Sequence, residues 1–276
     1  MDLTGLIGFL AGLFLIGFGI TTHFSNLGAI SGFIDYSSMA ITFGGTICAT
    51  LIAFPLSYFK KIPSQLRITM QKSRYNPKEY IATIVDFAQE ARKKGLLSLE
   101  EKANGLKDPF LRDSILLIVD AIEPAKVREM LDNELDNLEE RHEAGWGFYE
   151  KSSTFAPAFG MIGTLIGLIN MLANLDMSSE KGTTALAQGM SVALITTFYG
   201  SLFANLILVP IGNRLHVLHD EEMLCKRIAA EGVIAIQAGE NPKHIEERLN
   251  AFLNQSQRGS GTEPKKEENG AERRSQ

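Results

Sequence analysis

Thr164, Thr196 and Thr197 place hydroxyl groups inside two stretches, 154–175 and 187–211, whose residues are uncharged apart from the termini and turns that flank them. In such a setting hydroxyl and carbonyl oxygens can stand in for the water around a hard cation. Pro157 withholds a backbone donor and so frees a carbonyl one turn earlier to face water or an ion, and Pro210 stands near the end of the second stretch. Gly160, Gly163 and Gly167 fall on one helical face, where missing side chains let another backbone come close. Gly200 follows Thr196–Tyr199 in the second stretch. A packing reading is also open, because a threonine hydroxyl can bond its own i−4 carbonyl.

The missing group is a carboxylate. Intramembrane ion carriers usually keep an ionisable residue at mid-depth, and these stretches hold none. If the chain conducts an ion, a partner must bring the acid; the alternative is a passive anchor.

The elements that hold these residues are membrane helices. Four stretches, about Leu3–Thr22, Tyr36–Pro55, Thr154–Leu175 and Ala187–Ile211, have no Lys, Arg, Asp or Glu. Roughly 20 apolar residues span a bilayer as a helix. The mean hydropathy of +0.03 conceals them by averaging with very polar segments. Every Lys and Arg except Lys181 lies in 57–151 or after Ile211, which places those regions and both termini in the cytoplasm. Met1–Ile20 lacks a basic start and a cleavage site, so the first helix is expected to be retained. The expected fold is an all-α membrane protein with four transmembrane helices. Helices 1 and 2 occupy 1–56, a helical cytoplasmic domain 57–151, helices 3 and 4 152–212, cytoplasmic C-terminal helices 213–254 and a disordered tail 255–276.

The cytoplasmic block carries helix punctuation. Asn76-Pro77, Asp108-Pro109 and Asn241-Pro242 read as N-cap plus N1 proline. Gly95 reads as a left-handed stop, Ser98–Glu101 as a capping box, and Glu123-Pro124 as the start of a long helix running into the third crossing. Ile81, Ile84, Val85, Phe87 and Ala88 form one expected buried face. Phe110, Leu111, Ile115, Leu116, Ile118 and Val119 form another, and Val127, Met130, Leu131, Leu135 and Leu138 a third. Arg92, Lys93 and Lys94 close one helix while Glu100 and Glu101 open the next. Such charges complement helix ends, and at the tip of a hairpin they also suit a transient grip on a moving partner.

Other clusters carry less. His216 and His219 share a helix face that reads as exposed and polar rather than metal-binding. The run Asp132, Glu134, Asp136, Glu139, Glu140 reads as a solvated face, and Trp146, Phe148 and Tyr149 as interfacial aromatics. Cys48 and Cys225 build no disulfide framework. The net charge of −5, spread over mixed signs, points away from nucleic acid, and no hydrolytic nucleophile–base motif is present, so an enzyme is not expected.

The segments T-F-A-P-A-F-G-M-I-G-T-L-I-G-L-I at 154–169 and M-S-V-A-L-I-T-T-F-Y-G-S-L-F-A-N at 190–205, with Pro210 and A-R-K-K-G-L-L-S-L-E-E at 91–101, resemble the flagellar motor stator A-subunit, the MotA/PomA family. The resemblance covers residues 1 to about 253. It implies a complex in the bacterial inner membrane in which five copies surround two copies of a B-type subunit, whose single membrane helix carries the ion-binding Asp. Cation flow, sodium or proton, would turn the ring and drive the rotor switch protein, giving motility and chemotaxis. By the same resemblance Pro157 and Pro210 stand beside that Asp, while Thr164 and Thr196 or Thr197 line the ion path, with sodium favoured. Arg92 and Glu100 would engage the rotor, supported by Lys93, Lys94 and Glu101. No cofactor or metal is implied beyond the transported cation. An ExbB/TolQ-like energising subunit, normally with three crossings, and a non-conducting membrane scaffold are the other readings.

Overall fold

The computed structural model describes residues 3–21, 27–71, 74–174 and 180–255. The tail expected after Gln255 lies outside them, as do 22–26 and 175–179 of the two short turns. Among the described residues every regular element is helical. In chain order these are α1 (Leu3–Ile20), α2 (Tyr36–Ala53), α3 (Leu56–Thr69), α4 (Pro77–Lys94), α5 (Leu99–Asn104), α6 (Pro109–Val119), α7 (Pro124–Ala173), α8 (Glu180–Leu202), α9 (Val209–Gln237) and α10 (Pro242–Asn250).

Among the described residues, three helical stretches are long and apolar enough to cross a membrane: α2, α7, and the run Thr183–Gln237 that joins α8 to α9. The first stretch is apolar but shorter over Gly5–Ile20. The 50-residue α7 has the continuity that the lack of breakers before Thr154 predicts. α8 and α9 meet through a π-helical turn, Phe203–Leu208, in which the Val209 amide bonds the Ala204 carbonyl. Pro210 lies just beyond; with no amide proton it cannot serve the Leu206 carbonyl, and the wider turn absorbs the misfit.

The chain divides into two compact units. One comprises the described residues of Met1–Tyr75 with Glu134–Met223, the other those of Asn76–Asn133 with Leu224–Gln276.

In the first unit, α2 turns Thr42, Thr46 and Thr50 inward at i, i+4 spacing. Each of the latter two donates to the carbonyl four residues before it, at 2.6 and 2.8 Å. Trp146, Phe148 and Tyr149 are not a lipid-facing belt as expected: they are 9 %, 4 % and 2 % exposed. The Phe148 ring packs edge-on against Phe54 and Phe59 at 5.3 and 5.1 Å. Tyr149 donates to Gln65 Oε1 at 3.0 Å, and burial pushes its phenol up to about 12. A buried phenol needs a partner, and α3 supplies both ring surface and acceptor.

In the second unit the proline-led caps form as expected. Asn76, Asp108 and Asn241 accept from the amides of Lys78, Phe110 and Lys243. Ile84, Phe87, Leu99, Ile115, Ile118, Val127, Ile228, Val233, Ile245 and Leu249 make the core. Gly232 lets α9 approach α4, since a Cβ there would sit 2.5 Å from Ile84. Three local expectations are corrected. Gly95 has φ 85° and ψ 166°, an extended glycine-only conformation rather than a left-handed stop. Ser98 makes no cap; its hydroxyl donates to Gly95 O at 2.7 Å because a 3₁₀ turn, Leu96–Ser98, precedes α5. Met130, expected in the core, is 41 % exposed.

Candidate functional site

The glycine face of α7 is where α8 presses closest. A Cβ on Gly160 would lie 3.0 Å from Thr196 O, one on Gly163 2.4 Å from the Thr196 side chain, and one on Gly167 2.7 Å from Gly189 O. Gly200 returns the contact, 2.6 Å from Ala156 O by the same measure. Backbone meets backbone at Gly160, Gly167 and Gly200, and the Thr196 side chain fills the space over Gly163, so these glycines set how near the two helices lie.

That approach brings the three threonines onto one carbonyl. Ala193 O lies 3.0 Å from Thr164 Oγ1, 3.0 Å from Thr196 Oγ1 and 3.3 Å from Thr197 Oγ1. Thr164 Oγ1 is also 3.1 Å from Gly160 O and 2.5 Å from Thr197 Oγ1. A hydroxyl has one proton and two lone pairs, so these contacts are alternatives, and each oxygen keeps acceptor capacity for a cation.

The adjacent pair Thr196–Thr197 divides in role. Thr196 is fully buried between Gly163 and α2, bonds the Val192 carbonyl at 2.9 Å, and its own carbonyl receives the Thr42 hydroxyl at 3.3 Å. Thr197 is exposed and stands with half-buried Thr164 on the outer side of the helix pair. Pro157, inside α7, cannot bond the carbonyl one turn back, and Pro210 is exposed on α9. No Asp, Glu, Lys or Arg accompanies these oxygens along 154–174 or 187–211.

Reading single motifs did not reveal the inward hydroxyl stripe of α2. Its signal was present as Thr42, Thr46 and Thr50 four residues apart. Thr50 reaches Ser152 Oγ at 3.3 Å, tying α2 to α7 below the glycine face. Tyr199 was also missed: its hydroxyl donates to the Phe33 carbonyl and receives the Asp35 amide at 3.4 Å. Asp35 caps α2, and hydrogen bonds from Ser38 and Ser37 hold its carboxyl below the usual range.

In the second unit Arg92, Lys93, Glu100 and Glu101 are exposed and ion-pair with no described residue. Lys94 instead bonds Glu90 at 3.0 Å. Lys102 reaches Asp86 at 2.5 Å and Glu90 at 3.0 Å, a cluster that the sequence reading did not single out. The Lys94 bond, then the Lys102 bond, lower the Glu90 carboxyl. Burial works against the Lys102 ammonium, but its two carboxylates outweigh this and raise it. The tip between the charges carries Leu97, 75 % exposed.

His219 corrects the expected exposed polar face. It is 7 % exposed, and its Nδ1 lies 3.0 Å from His142 Nδ1. Trp146 packs 4.8 Å from both His216 and His219. Burial lowers His219, opposed by Asp220 and Glu139. A cavity of about 390 Å³ beside the pair is lined by Gln65, Arg141 and Glu222 among others. Among the described residues no group of three or more His, Cys, Asp and Glu could hold a metal ion. The five acidic residues from Asp132 to Glu140 are exposed.

Residues 102–228 match the MotA/TolQ/ExbB proton channel family. A motility protein A of Treponema phagedenis is 37 % identical over 92 % of this chain and 95 % of its own length. The chemotaxis protein PomA of Vibrio alginolyticus is 35 % identical over 94 % and 98 %. A solved structure of C. jejuni MotAB superposes with a TM-score of 0.82 at 25 % identity, over 95 % of this chain and all of that one.

Proposed function

The chain belongs to the MotA/PomA family of flagellar motor stator A-subunits, and from that premise we propose that it is the ring-forming, ion-conducting subunit of a bacterial flagellar stator. It crosses the inner membrane four times with both termini in the cytoplasm, the basic residues lying on that side. Five copies surround two B-type subunits. Each presents the outward hydroxyls of Thr164 and Thr197, on helical runs that also carry Pro157 and Pro210, to the carboxylate the B-subunit brings.

One observation carries this reading: hydroxyls converge between two apolar helical stretches, 154–174 and 187–211, that hold no acid of their own. The few oxygens gathered here are too few to replace a cation's whole hydration shell. A partner's Asp completes the site. Sodium is favoured over the proton because two hydroxyls stand together at the exposed position. The charged tip of the second unit, with Arg92, Lys93 and Lys94 at the end of α4 and Glu100 and Glu101 at the start of α5, grips the rotor switch protein, and cation flow down its gradient becomes torque, motility and chemotaxis.

The test is motility of a strain carrying this chain and its B-partner as sole stator, measured as swimming speed with and without sodium at constant pH. Speed should collapse without sodium. Sodium-independent swimming would overturn the ion assignment, and no swimming in either medium by a correctly assembled complex would overturn the stator reading.

A further inference from the structure

A second feature adjoins Pro210, on the side of α9 that meets α1 and α3. In the first unit a crevice of about 560 Å³ opens among α1, α3 and α9, lined by Gly8, Leu66, Met70, Leu206, Pro210 and Arg214 in particular. Its size suits an organic ligand. Two glycines keep it open: a Cβ on Gly5 or Gly8 would meet nothing within 4 Å. The walls are apolar, and the cationic group on the lining is Arg214, four residues beyond Pro210 and so about 6 Å further along the helix axis toward the cytoplasm.

The charge that α3 contributes has one sign. Between Asp35 and Glu79 the chain contains no Asp or Glu, while Lys60, Lys61 and Arg67 lie on α3. Arg214 donates to the Gln71 carbonyl at 3.5 Å, which orients a planar group carrying five N–H donors. Guanidinium suits phosphate because its N–H fork matches two oxygens at once.

We propose that this crevice binds an anionic phospholipid of the cytoplasmic leaflet, with an acyl chain against Gly8, Leu66 and Leu206 and the headgroup phosphate on Arg214. The inference goes beyond ion conduction and rests only on the membrane placement. A second copy of the chain fits less well. The apolar stretches it could insert hold no acid to meet Arg214, whereas a phospholipid brings apolar chain and negative charge in one molecule. Basic clusters at the cytoplasmic ends of membrane helices have the field such lipids follow.

The experiment uses the complex with its B-partner, reconstituted in vesicles of equal phosphatidylglycerol and phosphatidylcholine, extracted, and weighed intact by native mass spectrometry. Phosphatidylglycerol should remain bound several-fold in excess. Gly8→Leu, which fills the crevice, should cut lipid retention, and Arg214→Gln should erase the preference for the anionic lipid. Equal retention of the two lipids, or a wild-type preference in both variants, would overturn the proposal. A diazirine residue at position 66 gives a reading that needs neither variant to assemble. A lipid adduct is the expected product, and a cross-link to a second copy of the chain would overturn the assignment. None of these readouts depends on ion flow, so the site and the stator reading can fail separately.

Discussion

Replacing Gly200 by alanine tests whether the glycine face is a working contact or only a tolerant one. The new methyl would lie 2.6 Å from Ala156 O and 3.2 Å from Pro157 Cα, both backbone atoms that no rotamer change can move. Reaching ordinary contact near 3.4 Å requires α7 and α8 to part by about 0.8 Å. Inserting a methyl into a packed contact costs about 1–3 kcal/mol. Alanine returns about 1 kcal/mol of helix propensity, so the net loss is between about 0 and 2 kcal/mol. The control is Gly147→Ala on α7, where the methyl meets nothing within 4 Å and only the propensity gain remains.

The two variants should therefore differ in sign. Thermal unfolding of the purified complex should shift down for Gly200→Ala and stay or rise for Gly147→Ala. Because Pro157 and Thr164 ride on the displaced helix, single-motor torque should fall with Gly200→Ala and hold with Gly147→Ala. Equal shifts in the two proteins, or wild-type torque in Gly200→Ala, would refute the close-approach argument.

The threonine pair should separate in the same assays. Thr197→Val or Thr164→Val should slow swimming while the complex assembles normally, whereas Thr196→Val should chiefly lower stability by about 1 kcal/mol, the worth of one buried hydrogen bond. Reversed roles would put the ion on the other face of α8. Arg92→Glu or Glu100→Lys should weaken torque without loss of assembly, and a matching charge reversal on the rotor side should restore it; failed assembly would return these residues to a structural role. For His219, burial holds the folded-state value below the ordinary one. As pH falls through about 6.5, the unfolded chain takes a proton that the folded chain refuses, so stability present above that pH is lost below it. The melting temperature of the wild-type complex should drop more between pH 8 and pH 5.5 than that of His219→Gln, and equal slopes would defeat the argument.

Much of the helical order was legible because its signals are local. A proline after Asn or Asp starts α4, α6 and α10, and each cap closes on the amide it was expected to hold. The glycine face was equally readable, because i, i+3, i+7 spacing fixes a face whatever packs on it. The side on which a neighbour would arrive was not legible. Ser98 had the right residue for a cap, but the 3₁₀ turn after Gly95 took its hydroxyl. Trp146, Phe148 and Tyr149 had the composition of an interface and became core because α3 folds its own Phe59 and Gln65 against them. His219 looked solvated on its own helix and is buried by His142, whose 77-residue separation no local pattern shows. Thr196 and Thr197 could not be told apart by spacing alone, since only the position of Gly163 and α2 decides which one is covered.

That last distinction bears on how rotation becomes possible in the proposed stator. If the acid sat on α7 or α8, each cation would remain with the subunit that bound it, and charge transfer would not require relative movement. Here the fixed part of each subunit's site is neutral: Thr164 and Thr197 oxygens on the outer side of a helix pair locked by Gly160, Gly163 and Gly200. On the proposed reading, a carboxylate on a separate polypeptide would meet an equivalent hydroxyl pair on each successive copy, so no single position would hold it permanently. Buried Thr196 then serves the motion indirectly. Its carbonyl accepts from Thr42 on α2, a contact that resists turning of α8 about its own axis and would keep the exposed hydroxyl beside it toward the proposed partner.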